Sequence, residues 1–198
     1  MRRLPTLAAA LLLTACTPGP STPMPFARSA PPPSGTPAAA VASLLARPLR
    51  LPTIPAGTDC PVTQARPLAA GEGQFTTNVF GTGPLYPLPP YLGPNTTLRL
   101  SGETPRPDGL YEKKVVWANK GGYTGPAVVR IGRLDGPGHG QVRLYYDAAA
   151  SQAEALVFGL SNDPTQWPSG TFVSGPGCYA YLIEGTTFSD TIIFKVTA

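Results

Sequence analysis

Apolar and polar positions alternate in short runs through the C-terminal half of the chain. Thr96-Thr97-Leu98-Arg99-Leu100 puts Leu98 and Leu100 on one face, and Val115-Val116-Trp117 pairs Val115 with Trp117. Ala127-Val128-Val129-Arg130-Ile131 follows, then Gln141 to Tyr146, in which Val142, Leu144 and Tyr146 point one way. Gly170 to Val173, Cys178 to Ile183 and Thr191 to Val196 complete the series, the last burying Ile192, Phe194 and Val196. A period of two is the repeat of a half-buried strand. With turn residues recurring about every ten positions, it predicts antiparallel sheets packed face to face in an open β-sandwich. Helical spacing is confined to Ala38–Arg47 and Ala148–Leu156, and Phe158 and Leu160 beyond the second fit a strand equally well. The first stretch is shorter than an isolated stable helix and needs a docking surface.

Composition narrows the picture. With 26 Pro and 22 Gly in 198 residues and only 13% charged positions, the chain is neither a coiled coil nor a helical bundle. One His and three Cys are too few for a zinc finger or ribbon. Residues 17–50 hold nine prolines among Ser, Thr, Gly and Ala, which cannot bury enough apolar surface to offset ordering entropy. They read as a Pro/Ala/Ser-rich linker of at most about 100 Å at ~3.1 Å per residue. Residues 51–198 then form a single domain.

The N-terminus has its own layout. Met1-Arg2-Arg3 precedes an apolar run from Leu4 to Leu13 and the small residues Thr14-Ala15 before Cys16. This is the arrangement of a secretory signal peptide over residues 1–15, with a run too short to span a ~30 Å hydrocarbon core. Leu13-Thr14-Ala15-Cys16 resembles the bacterial lipobox, which implies cleavage before Cys16, diacylglycerol on its thiol and an acyl chain such as palmitate on its new amine. Several acyl chains, at ~0.8 kcal/mol per buried methylene, anchor a protein stably to a membrane. Thr17 in place of Asp implies the outer membrane where the organism has one, and otherwise the cell membrane. Cleavage also changes the charge. The full chain carries 15 basic and 11 acidic residues, net +4, but beyond residue 50 there are 10 against 11, net −1. The folded part therefore has no electrostatic footprint for nucleic acid.

With Cys16 lipidated, Cys60 and Cys178 remain, an even count in an oxidising compartment, and we expect them to form a disulfide. The alternative, a reactive pair or metal site, lacks supporting ligands, because the single His139 sits in Gly136-Pro137-Gly138-His139-Gly140. Cys60-Pro61-Val62-Thr63, Gly81-x-Gly83-Pro84-Leu85-Tyr86, Arg106-Pro107-Asp108-Gly109, Lys114 to Trp117, Arg130-x-x-Arg133-Leu134-Asp135-Gly136-Pro137 and Pro176-Gly177-Cys178-Tyr179 also carry a resemblance. Together, over Cys60 to Ala198, they resemble a group of bacterial secreted or lipid-anchored proteins with an immunoglobulin-like β-sandwich. Tyr179 stands where that group has Trp. The resemblance implies the immunoglobulin-like form of an all-β antiparallel sandwich and a disulfide, and it brings no activity.

Candidate chemistry is sparse. No Gly-x-Ser-x-Gly elbow is present, and His139 in a Gly/Pro loop is a poor general base. Asp59, Asp108, Asp135, Asp163 and Asp190 stand beside turn-forming residues, where Asp bonds to local backbone. Gly71-Glu72-Gly73 and Gly81-Thr82-Gly83 lack phosphate-loop spacing. We expect no enzyme, no catalytic residue, no metal and no cofactor. The feature that stands out is Leu85-Tyr86-Pro87-Leu88-Pro89-Pro90-Tyr91-Leu92-Gly93-Pro94, whose prolines keep it out of a central strand. Tyr86 and Tyr91, with Trp167 as a second contact, form a candidate binding patch for a glycan, peptide or envelope protein; the opposing reading is a loop capping the core. Tyr179 and Tyr181 are expected to face solvent or lie under such a loop. The expected molecule is a monomeric, lipid-anchored, extracytoplasmic structural or interaction module.

Overall fold

The computed structural model describes residues 38–55, 57–68, 75–146 and 153–198. Cys16, the signal segment and most of the linker lie outside the described residues, as does the start of the second helical stretch. The elements are α1 (Ala38–Leu45), β1 (Ala65–Pro67), β2 (Asn78–Phe80), β3 (Leu85–Pro87), α2 (Pro89–Leu92), a 3-10 turn (Pro94–Thr96), β4 (Thr97–Arg99) and β5 (Tyr111–Asn119). β6 (Gly125–Arg133), β7 (Gly140–Leu144), β8 (Ala155–Leu160), β9 (Gln166–Val173), β10 (Gly177–Gly185) and β11 (Ser189–Thr197) follow.

The strands form three sheets. One has five strands in the order β4-β11-β10-β6-β8, another four in the order β3-β5-β9-β7, and β1 pairs with β2 alone. This corrects the expectation of a single all-β, immunoglobulin-like antiparallel sandwich. β4 runs parallel to β11 with Leu98 opposite Val196, and two α-helices belong to the domain, so it is mixed α/β. An isolated bridge between Val142 and Ala153 draws the start of β8 against β7, and the five-stranded sheet curls toward its neighbour as a half-barrel. Alternation reports which residues share a face. Strand partner and direction are set by contacts distant in sequence, which is why the topology escaped the pattern.

The main core lies between the five- and four-stranded sheets. Leu98, Val115, Trp117, Val129, Val142, Ile192, Phe194 and Val196 all belong to it, so the alternating runs do turn these residues inward. Tyr179 and Tyr181 are also there, fully buried, which corrects the expectation that they face solvent or lie under the aromatic and proline-rich loop. Tyr181 stacks on Phe194, meets Trp117 edge-on at 5.1 Å between centroids, and shares a 2.7 Å hydrogen bond with Thr171 of the opposite sheet. Burial moves the Tyr181 phenol well above its ordinary pKa, so it stays a neutral hydrogen-bonding group.

Each sheet is also covered on its outer face. Val79 of β2, with Leu68 and Phe75, packs on Tyr86, Leu88, Val116 and Ala118 of the four-stranded sheet. The five-stranded sheet is crossed by α1 and the segment after it. Leu44 is buried, and Gly132 leaves room for Leu51, whose methyl a Cβ there would strike. Arg130 donates to Glu184 and to the carbonyl of Arg47, and Arg47 in turn donates to the carbonyl of Gly185. The helical stretch thus has the docking surface its length requires. Beyond it, Cys60 is joined to Cys178 by a disulfide with Cα atoms 5.4 Å apart, on the outer side of β10, and Thr63 pairs with Ile193 of β11 in both directions. Alternation along β10 explains this: Tyr179 and Tyr181 enter the core, so Cys178 faces the covering segment.

Candidate functional site

The sequence singled out Tyr86, Tyr91 and Trp167 as one patch, and the four-stranded sheet separates them. Trp117 lies opposite Trp167 and Ala118 opposite Tyr86, so neighbouring positions of β5 carry the two aromatics on opposite faces. Trp167 belongs to the main core and meets Phe158 edge-on at 5.3 Å, whereas Tyr86 lies under β2 in the second cluster; both are buried. Tyr91, on α2, is half-buried beneath the Lys114 ammonium at 5.6 Å from its ring. β3 is an edge strand, consistent with its proline.

His139 stands exposed at the rim of a cleft of about 470 Å³ that Leu49, Leu51, Arg130, Arg133 and Glu154 help to line. The arginines of this cleft are already engaged: Arg130 with Glu184 and the 47–48 backbone, Arg133 with Asp135 and the carbonyl of Pro176. Burial opposes ionisation of Asp135, but the Arg133 guanidinium and the Cys178 N–H outweigh it and hold the carboxyl below the usual range. Arg133 is raised in return, chiefly through its hydrogen bond to Asp135. The Arg-Leu-Asp-Gly stretch is thus a structural turn that ties β6 to β10.

Other carboxylates are also occupied. Glu112 accepts from Arg106, Arg143 and Tyr145, at 2.9, 3.0 and 3.0 Å, with both guanidiniums over the ring of Phe172. Burial first, then the bond to Glu112, pushes the Tyr145 phenol up to about 12. Asp190 accepts from the N–H and hydroxyl of Thr82. Among the described residues no group of three His, Cys, Asp or Glu side chains is placed to hold a metal ion.

A second cleft escaped sequence reading. About 390 Å³ in volume, it lies where β1, β2, α2 and the 3-10 turn meet, and Gln64, Asn78, Phe80, Pro89, Pro90 and Asn95 line it with Ala65 and Gly93. Its shape depends on an unusual turn. Gly93 (φ 71°) takes a left-handed conformation where a Cβ would strike the carbonyl of Thr97, and Asn95 and Thr96 follow at φ 55° and 53°. A β-branched residue is an outlier there. Thr96 is held by complete burial and by donating its hydroxyl to the carbonyl of Thr63. The available signals were Gly93 and Asn95, both tolerant of that region, but no local pattern announces the segment around Thr63 that Thr96 reaches.

A comparison with protein-family models finds no match for this chain, and a comparison with curated proteins finds none either. The resemblance to secreted proteins with an immunoglobulin-like sandwich is therefore withdrawn on both grounds, motif and topology. Its short motifs turn out to be turns, strand ends and, for Lys114 to Trp117, the middle of β5, features that unrelated β-rich chains share for the same steric reasons.

Proposed function

We propose that this chain is a lipid-anchored, extracytoplasmic lipoprotein of the cell envelope whose folded part is a non-catalytic structural or interaction module. One observation carries the reading: Leu13-Thr14-Ala15-Cys16 after two arginines and a short apolar run. The Cys60–Cys178 disulfide fits an oxidising compartment. No helix among the described residues is long and apolar enough to cross a membrane. The non-catalytic part is supported by Glu112, Asp135, Glu184 and Asp190, whose carboxylates are tied to arginines, hydroxyls and backbone N–H groups.

Intact mass of the protein from the membrane fraction tests this. The expected species begins at Cys16 and carries a diacylglycerol and a further acyl chain. Cys16→Ala is expected to move the chain out of the membrane fraction while leaving its fold unchanged. An unacylated chain beginning after residue 16, or a Cys16→Ala protein still in that fraction, sinks the proposal.

A further inference from the structure

We infer that the cleft between β1, β2 and α2 binds a neutral saccharide unit through the carboxamides of Gln64, Asn78 and Asn95. The inference rests on the reading of the folded part as an interaction module and not on the lipid anchor.

The chemistry of the lining selects the ligand. Among the described residues no charged side chain lines the cleft, so none of them offers an anion or a cation a counter-charge there. Three carboxamides do line it, each with a donating and an accepting end, which matches hydroxyl groups that also do both. The Asn95 carboxamide makes no hydrogen bond among the described residues. Gln64 and Asn78 each use only the amide nitrogen, in bonds of 3.3 Å to the Val62 carbonyl and 3.2 Å to the Thr77 hydroxyl. The remaining lining includes Phe80, Pro89 and Pro90, apolar surface suited to the C–H face of a pyranose.

Position is also built in. Thr96 bonds to the carbonyl of Thr63, the residue before Gln64, and Thr63 is itself paired to Ile193 of β11. Asn95 and Gln64 are thus referred to one rigid strand. Left-handed backbone at two successive non-glycine residues persists only where the surroundings over-determine it, and such sites cluster at ligand contacts. An extended peptide is the weaker occupant, because β1 is three residues long and ends at Pro67, which has no N–H to offer an added strand.

The test uses the full chain in detergent, titrated calorimetrically with cellobiose and N,N′-diacetylchitobiose, with a glucuronate-containing disaccharide and an uncharged octapeptide alongside. At least one neutral disaccharide is expected to bind. Asn95→Gly, which keeps the left-handed turn comfortable, and Asn78→Ala should each weaken it about tenfold, the scale of one hydrogen bond. Four results overturn the inference: no binding of either neutral sugar, binding unchanged in Asn95→Gly, tighter binding of the glucuronate probe, or binding of the peptide alone. The mass of the Cys16 terminus is read separately, so an unacylated chain that binds sugar sinks only the anchor, and an acylated chain that binds none sinks only this site.

Discussion

Arg130 and Glu184 form an ion pair in which each side chain is only 10% exposed, on the face of β6 and β10 that α1 covers. Removing Glu184 leaves the Arg130 guanidinium buried without its counter-charge, so Glu184→Ala is expected to cost about 3–5 kcal/mol in urea unfolding, and Arg130→Met with Glu184→Leu to recover most of it. Asp135 gives a pH dependence. Its folded pKa lies below the unfolded value near 3.8, so its contribution is complete above that value and is lost as pH falls through the lower folded value. Asp135→Asn should therefore lower the urea midpoint at pH 7 and make little difference at a pH below the folded value. Equal destabilisation at both pH values would show that the carboxylate charge is not what Arg133 and the Cys178 N–H recognise. Neither partnership was legible in the sequence. Asp135 read as a turn residue, but its partner on β10, the Cys178 N–H, lies 43 positions away, and Arg130 read only as the polar position of an apolar run.

Elements were legible in proportion to their length and regularity. Strands β5, β6, β10 and β11, each of nine residues, announce themselves through β-branched and aromatic residues at alternating positions. β1, β2 and β3 have three residues each, too few for a period; β3 exists because the longer β5 offers it a partner, and β1 and β2 pair with each other where Val79 packs on the four-stranded sheet. α1 shows the same dependence. Its eight residues cannot hold a helix alone, and Leu44 docking against the five-stranded sheet supplies what the alanines lack. Leu44→Ala should cost about 2–5 kcal/mol of that docking. In hydrogen exchange the amides of 41–47 should lose protection while β5 and β10 keep theirs; unchanged protection would mean that the helix is held elsewhere.

For the whole molecule, the disulfide closes a separation of 118 residues and fastens the covering segment to the five-stranded sheet. In the chain-entropy model a loop of that size contributes about 4–5 kcal/mol, and native bridges of small secreted domains give about 2–5 when removed. The Cys60→Ala, Cys178→Ala protein should unfold at correspondingly lower urea, with exchange rising first in residues 47–64. An unchanged midpoint would mean that the bridge acts only locally. By itself the sequence determined the β-rich character, the faces of the long strands and the evenness of the cysteines beyond Cys16, and it carries the residues on which the proposed lipid anchor rests. Each of these is written in neighbouring residues or in simple counts. Only the tertiary structure decided the three-sheet arrangement, the parallel β4–β11 pair, the burial of Tyr86, Trp167, Tyr179 and Tyr181, and the cleft of Gln64, Asn78 and Asn95. These depend on which distant segments meet, and a pattern of period two is the same whether its outer face meets water, a helix or a second sheet.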